Sequence, residues 1–141
     1  MKSKTDGTTH MIILERGEEV VTAIAAYCKR EHIMAAHFSG IGAVELVKIG
    51  YYDLEHKEYI FKSEQGVFEV ASMTGNVAEV DGQPFVHVHA VLSRCDDTLA
   101  CIGAHLKEAF VAVTLEVVLT TMSCMLSRRT DDDIGLKLIS L

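Results

Sequence analysis

The sequence predicts an α/β (α+β) chain: a largely antiparallel β-sheet packed with one or two helices in a single domain. Three observations carry this reading. From Ile33 onward, β-branched residues and apolar/polar alternation dominate, which suits half-buried strands. The apolar runs follow one another with polar turns between them and few stretches long enough for a helical crossover, which implies antiparallel pairing. Ahead of them, Val20, Val21, Ile24, Ala25 and Cys28 recur at near-helical spacing.

Each element follows in order. A polar stretch to about Thr9 is expected as a flexible tail, with residues 10–141 forming the domain. The first apolar strand is His10–Glu15. Arg16-Gly17-Glu18-Glu19 leads into the helix; its two glutamates suit the positive N-terminal end of the helix dipole, and Lys29-Arg30 suits the negative C-terminal end. One amphipathic helix of this kind covers a sheet. Strands are then expected around 33–38, 43–52, 58–62, 67–80, 84–93 and 110–121. Asp53-Leu54-Glu55-His56-Lys57 reads as a polar hairpin loop and Asp81-Gly82 as a tight turn. The stretch Thr98–Leu106 fits a short strand or a helix. Arg128–Asp133 reads as a charged loop before a short closing strand at Leu136–Leu141.

Composition narrows the class of molecule. At 141 residues, 49% hydrophobic and 23% charged, the chain can bury a core of its own. No apolar run approaches the ~20 residues of a membrane span, and the charged start lacks the apolar segment of a signal peptide. A cytoplasmic protein is expected. The four cysteines, Cys28, Cys95, Cys101 and Cys124, have no metal-binding spacing and suit reduced thiols, with Cys95 or Cys101 a minor alternative ligand beside His105. Net charge is −7 and the thirteen Lys and Arg are scattered, which argues against nucleic acid as a partner.

The chemistry concentrates in Phe85-Val86-His87-Val88-His89-Ala90-Val91-Leu92-Ser93. On a strand, Val86, Val88, Ala90 and Leu92 form an apolar face, while His87 and His89 stand side by side on the other. His105 follows in Ile102-Gly103-Ala104-His105-Leu106, where the glycine suggests a bend that returns this third ring to the pair. Three neutral imidazoles and an open fourth position describe a zinc site. A His-x-His pair on a strand is also an ordinary polar face, and spacing alone leaves both readings open.

Glu116 sits in the apolar run Val113–Leu119, where a carboxylate costs free energy unless it is paired or ligates a cation. It is a candidate catalytic proton carrier near a metal, or an outward-facing residue on a half-exposed strand. Other motifs fall away. His32 and His37 are five residues apart, too far for one helical face and on opposite faces of a strand. Ser39-Gly40-Ile41-Gly42-Ala43 lacks the lysine of a phosphate loop and suits close backbone packing. There is no Gly-x-Ser-x-Gly elbow for serine-hydrolase chemistry.

Taken together, Gly17-Glu18-Glu19-Val20, Phe38–Ala43, Gly66–Val70, Gly75-Asn76-Val77, Asp81-Gly82, His87-x-His89, Gly103-Ala104-His105-Leu106 and Thr114–Val117 occur in the order of a known family. The chain resembles a stand-alone prokaryotic PPC (plants and prokaryotes conserved) domain, from about Met11 to Leu141. This resemblance implies an antiparallel sheet with helices, a homotrimer, and a metal site formed by His87, His89 and His105. Ala104 replaces the usual second glycine of a Gly-Gly-His motif, a change that a backbone at negative φ accommodates. Plant relatives carry AT-hooks, and the family is often labelled DNA-binding; the Arg-Gly-Arg-Pro core of an AT-hook is absent here. The fold also resembles that of acetolactate decarboxylase, a zinc enzyme with three histidines.

Three functions compete on these grounds. The first is a trimeric domain that binds zinc or another divalent metal and takes a small molecule or protein partner. The second is a zinc-dependent lyase or hydrolase, which requires an accessible cleft beside the histidines. The third is a DNA-associated regulator, which requires a basic face.

Overall fold

The computed structural model describes residues 1–141 as nine elements: β1 Lys2–Asp6, β2 Thr9–Glu15, α1 Val20–Arg30, β3 Ala36–Asp53, β4 Glu58–Val80, β5 Gln83–Arg94, β6 Cys101–Thr121, β7 Ser127–Asp131 and β8 Leu136–Ser140. One eight-stranded sheet runs β1-β2-β6-β3-β4-β7-β8, and β5 pairs with both β4 and β6. Strands β3, β4, β5 and β6 therefore form a closed ring, each paired antiparallel to two others of the four. The α/β (α+β) architecture with a largely antiparallel sheet is as expected, with one helix.

Long strands replace the shorter pieces expected from alternation. The segments 33–38 and 43–52 merge into β3, and 58–62 and 67–80 merge into β4. Both joins carry register shifts, at Gly40/Gly42 and Glu45/Val47, where the bulged chain bends without leaving the ladder. Such shifts interrupt the period-two pattern, so one bent strand reads as two. At Gly42, φ is +148° and a Cβ would collide with the Thr114 carbonyl, so the glycine-rich segment serves close backbone packing. The hairpin loop after Asp53 and the tight turn at Asp81-Gly82 both lie where expected, the latter with both residues at positive φ.

The ends of the chain differ from the sequence reading. Residues 2–6 form an edge strand, paired from Lys2↔Ile13 to Asp6↔Thr9, in place of a flexible tail. Every residue of β1 is exposed, so it carries no apolar alternation to reveal it. Likewise, Arg128-Arg129-Thr130-Asp131 belong to β7, which pairs with β8 in a C-terminal hairpin, where a charged loop was expected. A hydrogen bond from the Tyr52 hydroxyl to the Ile134 carbonyl (2.7 Å) and one from Lys57 Nζ to the Asp132 carbonyl (3.2 Å) hold its turn against the β3–β4 hairpin.

Helix α1 begins at a Glu19 cap whose carboxylate accepts from the Val21 and Thr22 amides at 3.1 and 2.7 Å. The same carboxylate accepts from the Ala109 amide at 3.2 Å, which ties the helix start to β6. Val20, Ile24, Tyr27 and Cys28 are buried at helical spacing against the core. Cys28 is the buried thiol; Cys95, Cys101 and Cys124 are exposed, and all four are free. Tyr27 reaches His10 of β2 through a 2.9 Å hydrogen bond, which explains how a histidine sits 8% exposed in an otherwise apolar interior.

On β5, Val88, Ala90 and Leu92 are buried beneath the helix-covered side, which turns His87 and His89 the other way. Beside this strand, Gly75 of β4 packs under the Phe38 ring and against the His87 carbonyl, where any Cβ would overlap both. The expected outcome for Gly75→Ala is a loss of about 1–3 kcal/mol of stability, measured by chemical denaturation; an unchanged midpoint would contradict this packing.

Candidate metal centre

Three strand positions bring the histidines together. His87 and His89 alternate along β5 and so project from one face. Antiparallel pairing sets His89 directly opposite His105 of β6, in a ladder that continues through Val91↔Gly103. His105 arrives by this cross-strand register and not by a bend at Gly103, which lies within the strand. His105 also faces Gly50 of β3, so its backbone is held from both sides. Ala104 is absent from the residues at positive φ and takes its methyl without strain.

One ligand atom from each of the three rings lies within 4.8 Å of the others. His87 Nε2 and His105 Nδ1 are 3.1 Å apart, and the ring centroids are separated by 4.1 to 5.2 Å. Two nitrogens on one tetrahedral zinc, each about 2.0–2.1 Å from the ion, stand about 3.3 Å apart. The set therefore fits a divalent ion with little adjustment. His89 is exposed while His87 and His105 are half-buried, which leaves the ion's outer side open.

Burial favours the neutral form of two of the rings, His87 and His105. Desolvation pushes the His87 pKa down to about 4, helped by the Arg128 guanidinium and the two neighbouring imidazoles. Desolvation, then the His89 ring, lowers His105 as well. Arg128 Nη2 lies 3.3 Å from His87 Nδ1. Nη2 also donates to Asn76 Oδ1 at 2.8 Å, and Asn76 is the residue paired with His87 across β4 and β5. The Tyr59 ring meets His105 edge-on with centroids 5.2 Å apart.

Glu116, the expected proton carrier, is elsewhere. It pairs with Ile13 and Ile41, is exposed, and lines a separate shallow groove with Met11, Ser39, Ile41 and Met73. Its strand position turns it outward, where the carboxylate stays exposed and escapes the cost of burial. Cys95 and Cys101 are outside the histidine group also; their thiols donate to the Glu69 carboxylate at 4.0 Å and the Leu99 carbonyl at 3.6 Å. Sequence reasoning missed Arg128, Asn76 and Tyr59 as neighbours of the histidines. Asn76 was visible in the Gly75-Asn76-Val77 motif and Arg128 in the Arg128-Arg129 pair, but only the fold brings either to His87.

Against known proteins, the family model of the Plants and Prokaryotes Conserved (PCC) domain matches residues 1–123. A plant- and prokaryote-conserved protein of Pyrococcus horikoshii is 35% identical, with a TM-score of 0.87 over 96% of this chain and 92% of that one. A metal-containing protein of Archaeoglobus fulgidus is also 35% identical, with a TM-score of 0.86 over the whole of both chains. A protein of Bacteroides thetaiotaomicron provisionally assigned to DNA binding is 25% identical, with a TM-score of 0.93 over 99% of this chain and 96% of that one. No curated protein matches. With the matched model spanning most of the sequence and a relative 35% identical over 96% of the chain, the chain belongs to the Plants and Prokaryotes Conserved domain family.

Proposed function

We propose that this protein is a trimeric, cytoplasmic metal-binding domain in which His87, His89 and His105 hold one divalent ion per chain, zinc by preference. The observation that carries this reading is the convergence of three ligand nitrogens within 4.8 Å on rigid, mutually paired strands. The metal-containing Archaeoglobus relative supports it. Nitrogen donors on a tetrahedral scaffold suit zinc, and the half-burial of two rings excludes competing water from one side of the ion. When bound, the ion would supply a Lewis acid at its open position.

A second reading, a metal-dependent lyase or hydrolase, is favoured by one feature. His87 and His105 form part of the wall of a groove of about 560 Å³ that also includes Tyr59, Phe85 and Arg128. That space suits a small ligand beside the ion. With Glu116 on another face, proton transfer there would fall to Tyr59 or solvent. A DNA-associated role finds less support, since a net charge of −7 opposes a polyanion.

The trimer is supported by the family resemblance and by apolar side chains left outside the core. Ile41 is 60% exposed and Val113 is 68% exposed, and Met11 and Val118 lie near Ile41. No helix is long and apolar enough to cross a membrane.

Metal analysis of protein purified without added metal tests the central reading. One ion per chain is expected, and the pair of changes His87→Ala and His89→Ala should remove it while leaving the circular dichroism unchanged. Loss of affinity should exceed the about 10–100-fold that removal of a ligand's supporting hydrogen bond costs. Stoichiometric metal in the double variant would defeat the assignment.

Acid should act in a defined window. The unfolded chain protonates His87 near its ordinary value of 6.5 and the folded chain only near about 4, so protons favour unfolding between these values. Stability of the metal-free protein is full above that window and declines as pH falls through it, and His87→Asn should flatten the decline. Bound zinc should be lost on acidification, as protons compete for the ligating imidazoles. Release complete at neutral pH would contradict the neutral-imidazole account. For the assembly, light scattering should give the mass of three 15.5 kDa chains; a monomer across a wide concentration range would remove the trimer.

A further inference from the structure

Arg128 is the most unusual charge in the protein. Its guanidinium is half-buried, its Nε is buried with no hydrogen-bond partner, and it joins none of the chain's ion pairs. Nη1 donates to the Lys137 carbonyl at 3.0 Å, and Nη2 donates to Asn76 Oδ1 and faces His87 Nδ1. All of its partners are neutral. A partly desolvated cation without a counter-charge is costly, and elsewhere in the chain the comparably shielded Arg94 is paired with Glu64 at 2.6 Å.

The surroundings of Arg128 show what counter-charge would fit. It lies in the wall of the groove that contains His87 and His105, whose other walls include Lys57, Tyr59, Phe85, Leu136 and Leu138. Lys57 gives its ammonium to a backbone carbonyl, and Lys137 pairs with Asp81. Glu58, the one acidic residue of the groove, is exposed and makes no ion pair with Arg128. Arg128 and Lys57, neither of them in an ion pair, make the groove cationic, and Tyr52, Tyr59, Phe85, Leu136 and Leu138 supply apolar and aromatic wall. Its outer wall is the C-terminal hairpin β7–β8, which lies beyond residues 1–123 matched by the family model.

We propose that this groove binds a small organic carboxylate, with the Arg128 guanidinium as the anion anchor and Phe85, Leu136 and Leu138 packing on its carbon body. The inference rests on the metal-site reading for the neighbouring ion, since a divalent cation beside Arg128 would strengthen the same preference for a negative ligand. An arginine suits a carboxylate because its planar N–H groups match the two oxygens. Size favours a molecule of a few carbon atoms over a macromolecule, and the apolar walls favour an organic acid over inorganic phosphate.

The test is a chemical-shift titration of the full-length protein, zinc-loaded and metal-free, with butyrate, butyramide and inorganic phosphate as probes. Saturable binding of butyrate to the zinc-loaded protein is expected, weaker binding to the metal-free protein, and little response to butyramide, which keeps the body without the charge. Arg128→Gln should weaken butyrate at least about tenfold, the scale of losing a hydrogen bond to a charged group. Arg128→Lys, which keeps the charge, should recover part of it, and the comparison is repeated on the metal-free proteins so that any change in zinc affinity is separated from loss of the anchor. Equal butyrate binding in wild type and Arg128→Gln, or equal binding of butyramide, would overturn the proposal. So would a preference for phosphate, or Arg128-dependent binding of duplex DNA without a response to butyrate. If wild type holds no zinc, the metal-site reading fails by itself; the anchor is then judged on the metal-free protein, where Arg128→Gln must still abolish butyrate binding.

Discussion

The geometry of the site depends on one constraint, the antiparallel register that sets His89 opposite His105 across β5 and β6. Strand periodicity alone places His87 and His89 on one face, and two imidazoles do not make a closed ligand set. The third arrives only because β6 pairs with β5 at one register and not its neighbour. A slip of one residue would turn His105 into the core and Leu106 out of it. The register is protected from both sides: Leu106 and Ala109 are buried in the core, and β6 continues into pairing with β3 and β2.

Closure of the β3–β4–β5–β6 ring gives this register its stiffness. Each of the four strands has partners along both edges for part of its length, so the histidine backbone has few unpaired groups. Beneath β5, Val88, Ala90 and Leu92 join the core cluster that includes Phe38, Phe68, Val70 and Leu115. The polar face inherits that rigidity. Side chains on such a platform meet a ligand already positioned, which is what a metal site needs. The cost is visible in the lowered pKa values of His87 and His105, whose charged forms are disfavoured by the same burial.

The fold class, the helix, the hairpin loop after Asp53, the Asp81-Gly82 turn and the two-faced strand at 85–93 were all legible, because each depends on local periodicity or turn chemistry. What local patterns hide are features decided at a distance. Strand β1 is exposed on every side and so has no alternation to read. Strands β3 and β4 cross bulges that break the period. His105 was rightly grouped with the pair, but for the wrong local reason, a bend where the chain is a paired strand. Glu116 looked anomalous within an apolar run, yet half of that run faces outward. Arg128 was invisible as a site residue because its contact with His87 spans 41 positions and depends on the docking of the C-terminal hairpin.

The central claim is that three imidazoles converge on one ion, and X-ray absorption at the metal edge reads this most directly. The account predicts one zinc per chain with three nitrogen neighbours at about 2.0–2.1 Å and one further light atom from a ligand or water. Sulfur among the neighbours, or a nitrogen count unchanged when His105 is replaced by Ala, would contradict it.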